Sequence, residues 1–258
     1  MSTVIRTYIV NALDQNQRLD GRELDEFRKV VVEVGISKNA EGSARVKIGD
    51  TELLAGIKLA VEAPYPDTPD SGNLAVNTEF TPLSSPDFEA GPPGDASIEV
   101  ARVTDRGIRE SEAIDTKKLV ITAGEKVWSV LIDIVTVNDA GNIMDASALA
   151  AIAALKNARF PKYENDQLDY KTLTKTRLPV TKTPIAVTVS KIGSHLLVDT
   201  SHEEEPYIEA RLTVTTAGDG SICALQKGGE ATLTLDEIKA MVELAKKKAR
   251  ELEKYLEA

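Results

Sequence analysis

Four glutamates and a histidine fall within nine positions in "SHEEEPYIEARLTV", residues 201 to 214, and the acidic run closes on Arg211. Carboxylates at Glu203, Glu204, Glu205 and Glu209 are of the type that holds Mg²⁺, a cation that takes a few carboxylates together with water and a substrate phosphate. His202 could join as a ligand for a transition metal. Against this, consecutive glutamates point to different sides of the chain, and a charge run between strands is usually solvated. Residue types alone therefore favour a wet loop over a metal site. His195, the other of two histidines, sits inside a strand pattern, where a packed or hairpin-edge role is expected.

A second constellation lies at residues 96 to 112, where "ASIEVARVTDRGIRESE" reads as a helix capped by Asp95 or Ser97. At about 100° per residue, Arg102, Arg106 and Arg109 lie within roughly 60° of one another. Val100, Ala101, Val103 and Ile108 take the opposite side. A row of guanidinium groups facing away from a core suits phosphates spaced along a single strand. The competing reading is a solvated face, since Glu99 with Arg102, Asp105 with Arg109 and Arg106 with Glu110 are helix-neighbour ion pairs of only tenths of a kcal/mol each. Spacing alone favours that second reading. No phosphate loop, nucleophile elbow or dinucleotide fingerprint appears, and the glycines of "TAGDGS" read as a turn between strands.

The elements that must position these residues follow from pattern. Residues 1 to 28 form an N-terminal arm with a short helix. "KVVVEVG", "SARVKIG" and "TELLAGIKLAVEA" read as strands, the last two joined at Gly49-Asp50. A long proline-rich connection over residues 64 to 95 holds one strand, "NLAVNTEF". "VWSVLIDIVTVND" is a long strand, and "DASALAAIAALKNA", capped by Asp145, is a helix apolar nearly all round and so internal. A Lys- and Tyr-bearing linker, "RFPKYENDQLDYKTLTKTRLPVTKTP", leads to strands "IAVTVSKIG", "HLLVDT", "ARLTVTTA" and "SICALQKGG". The chain closes on a helix opened by a capping box of Thr234 and Glu237, with Ile238, Met241, Val242, Ala245, Leu252 and Leu256 on one stripe. The class is α+β, or mixed α/β: an arm (1–28), one half over 29–165 and a second over 166–258. "KIGDTELL" and "KIGSHLLV" echo each other as hairpins in the two halves.

Bulk properties bound the function. The 258 residues are 42% hydrophobic and 28% charged, which suits a folded chain with one sizeable core. A single cysteine, Cys223, leaves no intramolecular disulfide and no cysteine cluster for zinc, as in a reducing interior. Without an apolar run of membrane length or a leader pattern, the expectation is a cytoplasmic protein with no membrane partner. A net charge of -10 argues against wrapping nucleic acid with the whole surface, though a local basic stripe stays open.

Several stretches carry a family resemblance. "RLDGRELDEFR" resembles the opening signature of the RNase PH family, the phosphorolytic 3′-to-5′ exoribonucleases. "GSARVKIGDTELLAGIKLAVEAPYPDTPDSGNLAVNTEFTPLSSPDFE" and "VARVTDRGIRES" resemble the non-catalytic RNase-PH-like ring subunits of the archaeal exosome. The likeness runs from about residue 10 to 250 with its motifs in order. It implies an RNase PH-like fold of two βαβ-containing halves, mixed sheets packed on helices, the first half like ribosomal protein S5 domain 2. It also implies a hexameric ring, a trimer of heterodimers with a catalytic sibling, that admits single-stranded RNA and carries S1/KH-type RNA-binding cap proteins. Inorganic phosphate and Mg²⁺ would act at the sibling's active site, with no cofactor in this chain.

Departures from the family pattern imply the role. Active members carry two aspartates six positions apart where this chain has Glu205 and Arg211. A carboxylate can neutralise Mg²⁺ and manage a proton, whereas an arginine there repels the metal. The phosphate-binding turn of active members is matched by "DAGNIMDASALAA", with no basic residue from Asp139 to Ala154. Arg102, Arg106 and Arg109 match the family helix whose arginines hold RNA beside the sibling's active centre. The resemblance thus implies a non-catalytic subunit with degenerate positions at Glu205 and Arg211. The rivals are an independently active phosphorolytic ribonuclease and an interaction module without RNA contact.

Overall fold

The computed structural model describes residues 3–256, so the two outermost positions at each end of the expected segments lie outside the described residues. Helix α1 (Thr3–Leu13) buries Ile9 and Leu13 against Ile192 and Leu197 and so ties the N-terminal arm to the far end of the chain.

The first sheet holds β1 (Val30–Val34), β2 (Gly42–Ile48), β3 (Thr51–Glu62), β4 (Asn73–Glu79), β5 (Val120–Thr122) and β6 (Lys126–Asn138). Its spatial order is β1-β2-β3-β6-β4, with β5 also paired to β6. All pairs are antiparallel except β4 with β6, and α2 (Asp95–Glu110) lies on the connection between those two. Strict alternation sets the inner face: Leu53, Ala55, Ile57 and Leu59 of β3 and Val130, Ile132 and Ile134 of β6 are buried. They pack on α3 (Ile143–Asn157), whose residues are buried nearly all round because it lies between two sheets.

The second sheet holds β9 (Ile185–Ile192), β10 (His195–Val198), β11 (Ala210–Thr216) and β12 (Ile222–Gly228) in the order β10-β9-β11-β12, antiparallel throughout. Helix α4 (Leu235–Glu253) closes the molecule with Met241, Ala245, Ala249 and Leu252 turned inward. Its capping box is present as expected, with both Thr234 and Glu237 engaged. The mixed α/β class holds. A βαβ unit is built in the first half, while in the second half the helix follows the strands instead of joining a parallel pair. One apolar cluster runs through both halves, and the 165/166 division falls in a tight turn. The two echoing hairpins each turn on a glycine at positive φ, Gly49 (60°) and Gly193 (61°), a first turn position that side chains resist.

Three local expectations change. The "linker" is a β-hairpin, β7 (Arg159–Glu164) and β8 (Gln167–Arg177), turned at Asn165 and Asp166, both left-handed. Its strands are mostly polar and exposed, so no alternation announced them. Phe160 and Tyr163 anchor the hairpin on Trp128, with ring centroids 5.2 and 5.8 Å away. Helix α2 has Gly94 at its N-cap and no side-chain cap, and Asp95 sits inside the first turn. Helix α3 starts before Asp145, at a left-handed Asn142. Asp145 is thereby drawn into the core, where it accepts from Thr188 N at 2.8 Å. Among the described residues no helix is long and apolar enough to cross a membrane.

Candidate functional site

The outer face of α2 carries Arg102, Arg106 and Arg109, all exposed, while Val100, Val103 and Ile108 are buried beneath them. The structure brings the three onto one face, but their surroundings differ. Arg109 grips Asp105 at 2.8 and 3.1 Å and also donates to Leu74 O of β4 at 3.0 Å. The Asp105 hydrogen bond, opposed by partial burial, lifts the Arg109 pKa above its ordinary value. Arg106 donates to Gln226 of β12 at 2.5 Å. Arg102 has no hydrogen-bond or ion-pair partner among the described residues. Two of the expected helix pairs, Glu99 with Arg102 and Arg106 with Glu110, are not made.

Glu99 turns instead toward β11. Its carboxylate takes both terminal nitrogens of Arg211, at 2.7 and 3.3 Å, and a hydrogen bond from Gln226 at 3.3 Å. Gly228 stands beside Arg211 in the β11–β12 register, and a Cβ there would come within 2.3 Å of the Arg211 guanidinium. The glycine leaves open the space in which the arginine lies flat across the sheet toward α2. Arg211 is therefore a clasp between helix and sheet, with its charge neutralised.

The acidic run is not the solvated loop that composition favours. Glu203 is exposed, but Glu204 is fully buried, with Arg18 Nε on one oxygen at 2.9 Å and Nη2 on the other at 2.5 Å. The same guanidinium donates to Val198 O and Asp199 O. Asp199, next in the network, accepts from Arg28 at 2.7 Å, Arg22 at 2.9 Å and Asn142 at 3.0 Å. Burial alone would raise the Asp199 carboxyl, yet the Arg28 hydrogen bonds and charge hold it below the usual range. So the three arginines of "RLDGRELDEFR" bind the arm to the loop ahead of the acidic run. Glu209 pairs with Arg6 of α1, and His195 reaches Asp14 at 2.7 Å on the edge strand, as a hairpin-edge residue should. No part of the sequence pattern pointed to these pairings, which, apart from Asn142 with Asp199, join residues 171 to 203 positions apart.

Glu205 lies in a single 3-10 turn, and its carboxylate accepts from Asn142 N, at the N-terminus of α3, at 2.8 Å. Burial raises its pKa, and Asp139 adds to the rise although the Asn142 amide opposes it. The neighbouring amides are taken as well: Gly141 N donates to Asp139 at 2.9 Å and Ala140 N to Thr51 Oγ1 at 3.2 Å. A helix N-terminus with preceding amides is where an external phosphate would be held. Here the chain's own carboxylates fill that place.

Between α2, α3 and β11 opens a cleft of about 430 Å³ whose walls include Phe80, Phe88, Met144, Asp139, Glu205 and Arg211. The donor set does not fit Mg²⁺. Glu205 is committed to a backbone amide, Glu99 is neutralised by Arg211, and Asp139 binds Gly141 N and faces His202 at 3.8 Å, which leaves the exposed Asp87 as the one carboxylate of the described lining without such a partner. Among the described residues no three acidic, histidine or cysteine side chains cluster in a way that could hold a metal. Among the described residues the cleft's one guanidinium is already paired, so no free guanidinium is there to grip an attacking phosphate.

Comparison with known proteins places this architecture. Residues 26–161 match the model of the 3′ exoribonuclease family, domain 1, and residues 182–248 that of the same family's domain 2. The chain is 46% identical over 257 residues to the exosome complex component Rrp42 of Methanocella arvoryzae, covering 100% of this chain and 97% of that one. It is 51% identical over 225 residues to the protein of the same name from Archaeoglobus fulgidus, covering 87% and 85%. Among solved structures it superposes at a TM-score of 0.91 and 46% identity on a chain described as Archaeoglobus fulgidus exosome with RNA bound to the active site, with 97% of each chain covered. An archaeal exosome core chain matches at a TM-score of 0.88 and 43% identity, over 99% of this chain and 97% of that one.

Proposed function

The chain belongs to the RNase PH family of 3′ exoribonucleases, and from that premise we propose that it is a non-catalytic subunit of an archaeal exosome. In this reading it joins a catalytic sibling in a hexameric ring of three heterodimers, under S1/KH-type caps, and supplies arginines to the path of single-stranded RNA. Phosphate and Mg²⁺ act at the sibling's centre.

The observation that carries the proposal is the state of the two degenerate positions. Arg211 is spent on Glu99, and Glu205 is spent on the N-terminus of α3. A phosphorolytic centre needs an open carboxylate pair for the metal and free cations for the phosphate. Neither is offered by the described side chains of the cleft. The relatives' names support an exosome assembly: each is called an exosome component, and the similar solved chain is described as from an exosome with RNA bound.

Geometry supports the role proposed for α2. It stands at the rim of the cleft and lies between the β4 edge of one sheet and the β12 edge of the other. Three exposed guanidinium groups on that rim would face a neighbour's active centre across a subunit boundary. The competing view, that they only brace the surface, draws on the Arg109–Asp105 pair, but it leaves the unpaired Arg102 without a purpose.

The test is incubation of the purified chain, alone and mixed with a catalytic family member, with poly(A), inorganic phosphate and Mg²⁺. ADP release only in the mixture, from a six-membered particle, is the expected result. Release by the chain alone, lost on changing Glu205, would replace the proposal with an active ribonuclease.

A further inference from the structure

At the end of α3 opposite to the Arg211 cleft lies a second groove of different character. The helix has 15 residues and spans about 22 Å at about 1.5 Å per residue, so the two sites are well separated. The groove, of about 410 Å³, is lined by Lys156, Arg177, Lys182 and Tyr255 beside the apolar Val32 and Val34, and among the described residues no aspartate or glutamate lines it. In a chain of net charge -10 such a lining is a local reversal.

Lys156 alone carries little weight, because a cation in the last turn of a helix is expected there. Lys182 is likewise within 3.7 Å of Glu112. The telling feature is Arg177. In the β7–β8 register it stands directly opposite Arg159, and among the described residues neither arginine has an acidic partner. Like charges directly opposite on neighbouring strands destabilise a hairpin. The hairpin keeps them nonetheless, and Lys175 and Lys171 follow along β8, both exposed; among the described residues neither makes a salt bridge, though Asp169 lies within reach of the Lys171 charge. Tyr255, 43% exposed, adds a ring at the groove wall.

We propose that the Arg159/Arg177 pair and the adjoining groove form a second contact for the phosphate backbone of single-stranded RNA, with Tyr255 as a stacking surface for a base. The inference rests on the RNA-handling role given above but uses a different face. A polyanion between the two arginines converts their repulsion into shared attraction, and a basic track joined to an aromatic ring is how single strands are held without sequence preference. An acidic protein segment would satisfy the charges but leave the ring unused. The repeated cations along β8 also suit a ligand with a charge at every unit.

The experiment uses the chain assembled with its catalytic sibling, a single-stranded RNA bearing photoreactive uridines, and the variants R177E and R102E/R106E/R109E in parallel. R177E turns a repelling cross-strand pair into an attracting one, so the hairpin stays folded, which its melting temperature verifies. The expected result is crosslinking to the 159–177 segment or Tyr255, several-fold weaker binding by R177E, and a salt slope lowered by about 0.7. Loss of binding in the α2 variant with R177E unchanged overturns this inference and leaves the proposed function standing. Unchanged binding in both variants removes the two together. Capture of a polyglutamate peptide that R177E abolishes, with RNA crosslinks absent from the hairpin, assigns the groove to a protein and also overturns it.

Discussion

Arg211 and Glu99 meet across the seam between β11 and α2 with two guanidinium nitrogens on two carboxylate oxygens, 2.7 and 3.3 Å apart. The pair fixes the helix that carries the exposed arginines to β11, the strand that bears Arg211. In the proposed function, one residue thus both stands where active members have a carboxylate and positions the helix proposed to meet RNA.

The double-mutant cycle of E99Q and R211Q measures that clasp. Both side chains are mostly shielded and the geometry is forked, so the coupling energy should be about 1 kcal/mol, at the upper end for such pairs. Urea titration of the four proteins reads it. R211D, which restores a carboxylate, should give no phosphorolysis and lower stability, because the new charge faces Glu99 and Glu205 remains tied to Asn142. Activity gained by R211D alone would overturn the account of the cleft.

Asp145 makes a pH prediction. Burial pushes its carboxyl up to about 7 from an ordinary 3.8, despite hydrogen bonds from Thr188 and Asn142. A raised folded pKa means that the folded state holds a proton the unfolded state has released. The stability contributed is whole below the unfolded value and is lost as pH rises through the folded one. Asp199, held low by Arg28, has the opposite sign and is felt only on acidification. Denaturant midpoints between about pH 5 and about pH 8 should fall with rising pH, and D145N should flatten that slope whatever it does to the absolute stability. Glu205, also raised, contributes in the same direction, so some slope should remain.

Arg18 and Glu204 form a buried pair with every nitrogen of the guanidinium engaged. Removing one partner strands a charge in the interior, and R18M should cost about 3 to 5 kcal/mol. R18M/E204L, which removes both charges, should recover most of the loss. Thermal melting of the three proteins checks this, and a melting temperature for R18M close to that of the parent would show that water reaches Glu204.

How much of this was written in the sequence depended on range. The arginine face of α2, the Gly49-Asp50 turn and the Thr234/Glu237 cap are set within one or two turns of chain, where periodicity and capping chemistry act, and they were legible. The partners that decide the site are remote: Arg18 and Glu204 lie 186 positions apart, Arg211 and Glu99 112. No local pattern carries such pairings. The acidic run looked solvated because the arginines that bury it are at the other end of the chain. The β7–β8 hairpin stayed hidden because its register shifts and polar strands blur the period of two, although Asn165-Asp166 was a turn signal in plain view.

For the proposed contact with RNA, the differing environments of the α2 arginines set an order among them. Arg102 has no partner to give up, whereas Arg109 must be drawn from Asp105 and from Leu74 O before it can meet a phosphate. An exposed helix pair of that kind is worth only about 0.2–0.5 kcal/mol, so the difference is modest but measurable. R102A in the assembled particle should weaken single-stranded RNA about fivefold and R109A about twofold, each lowering the salt slope. R106A should fall between, since its one partner is the neutral Gln226. Fluorescence anisotropy at two salt concentrations gives the order. A loss in R109A larger than in R102A would mean that the Asp105 pair presents Arg109 to the phosphate instead of withholding it.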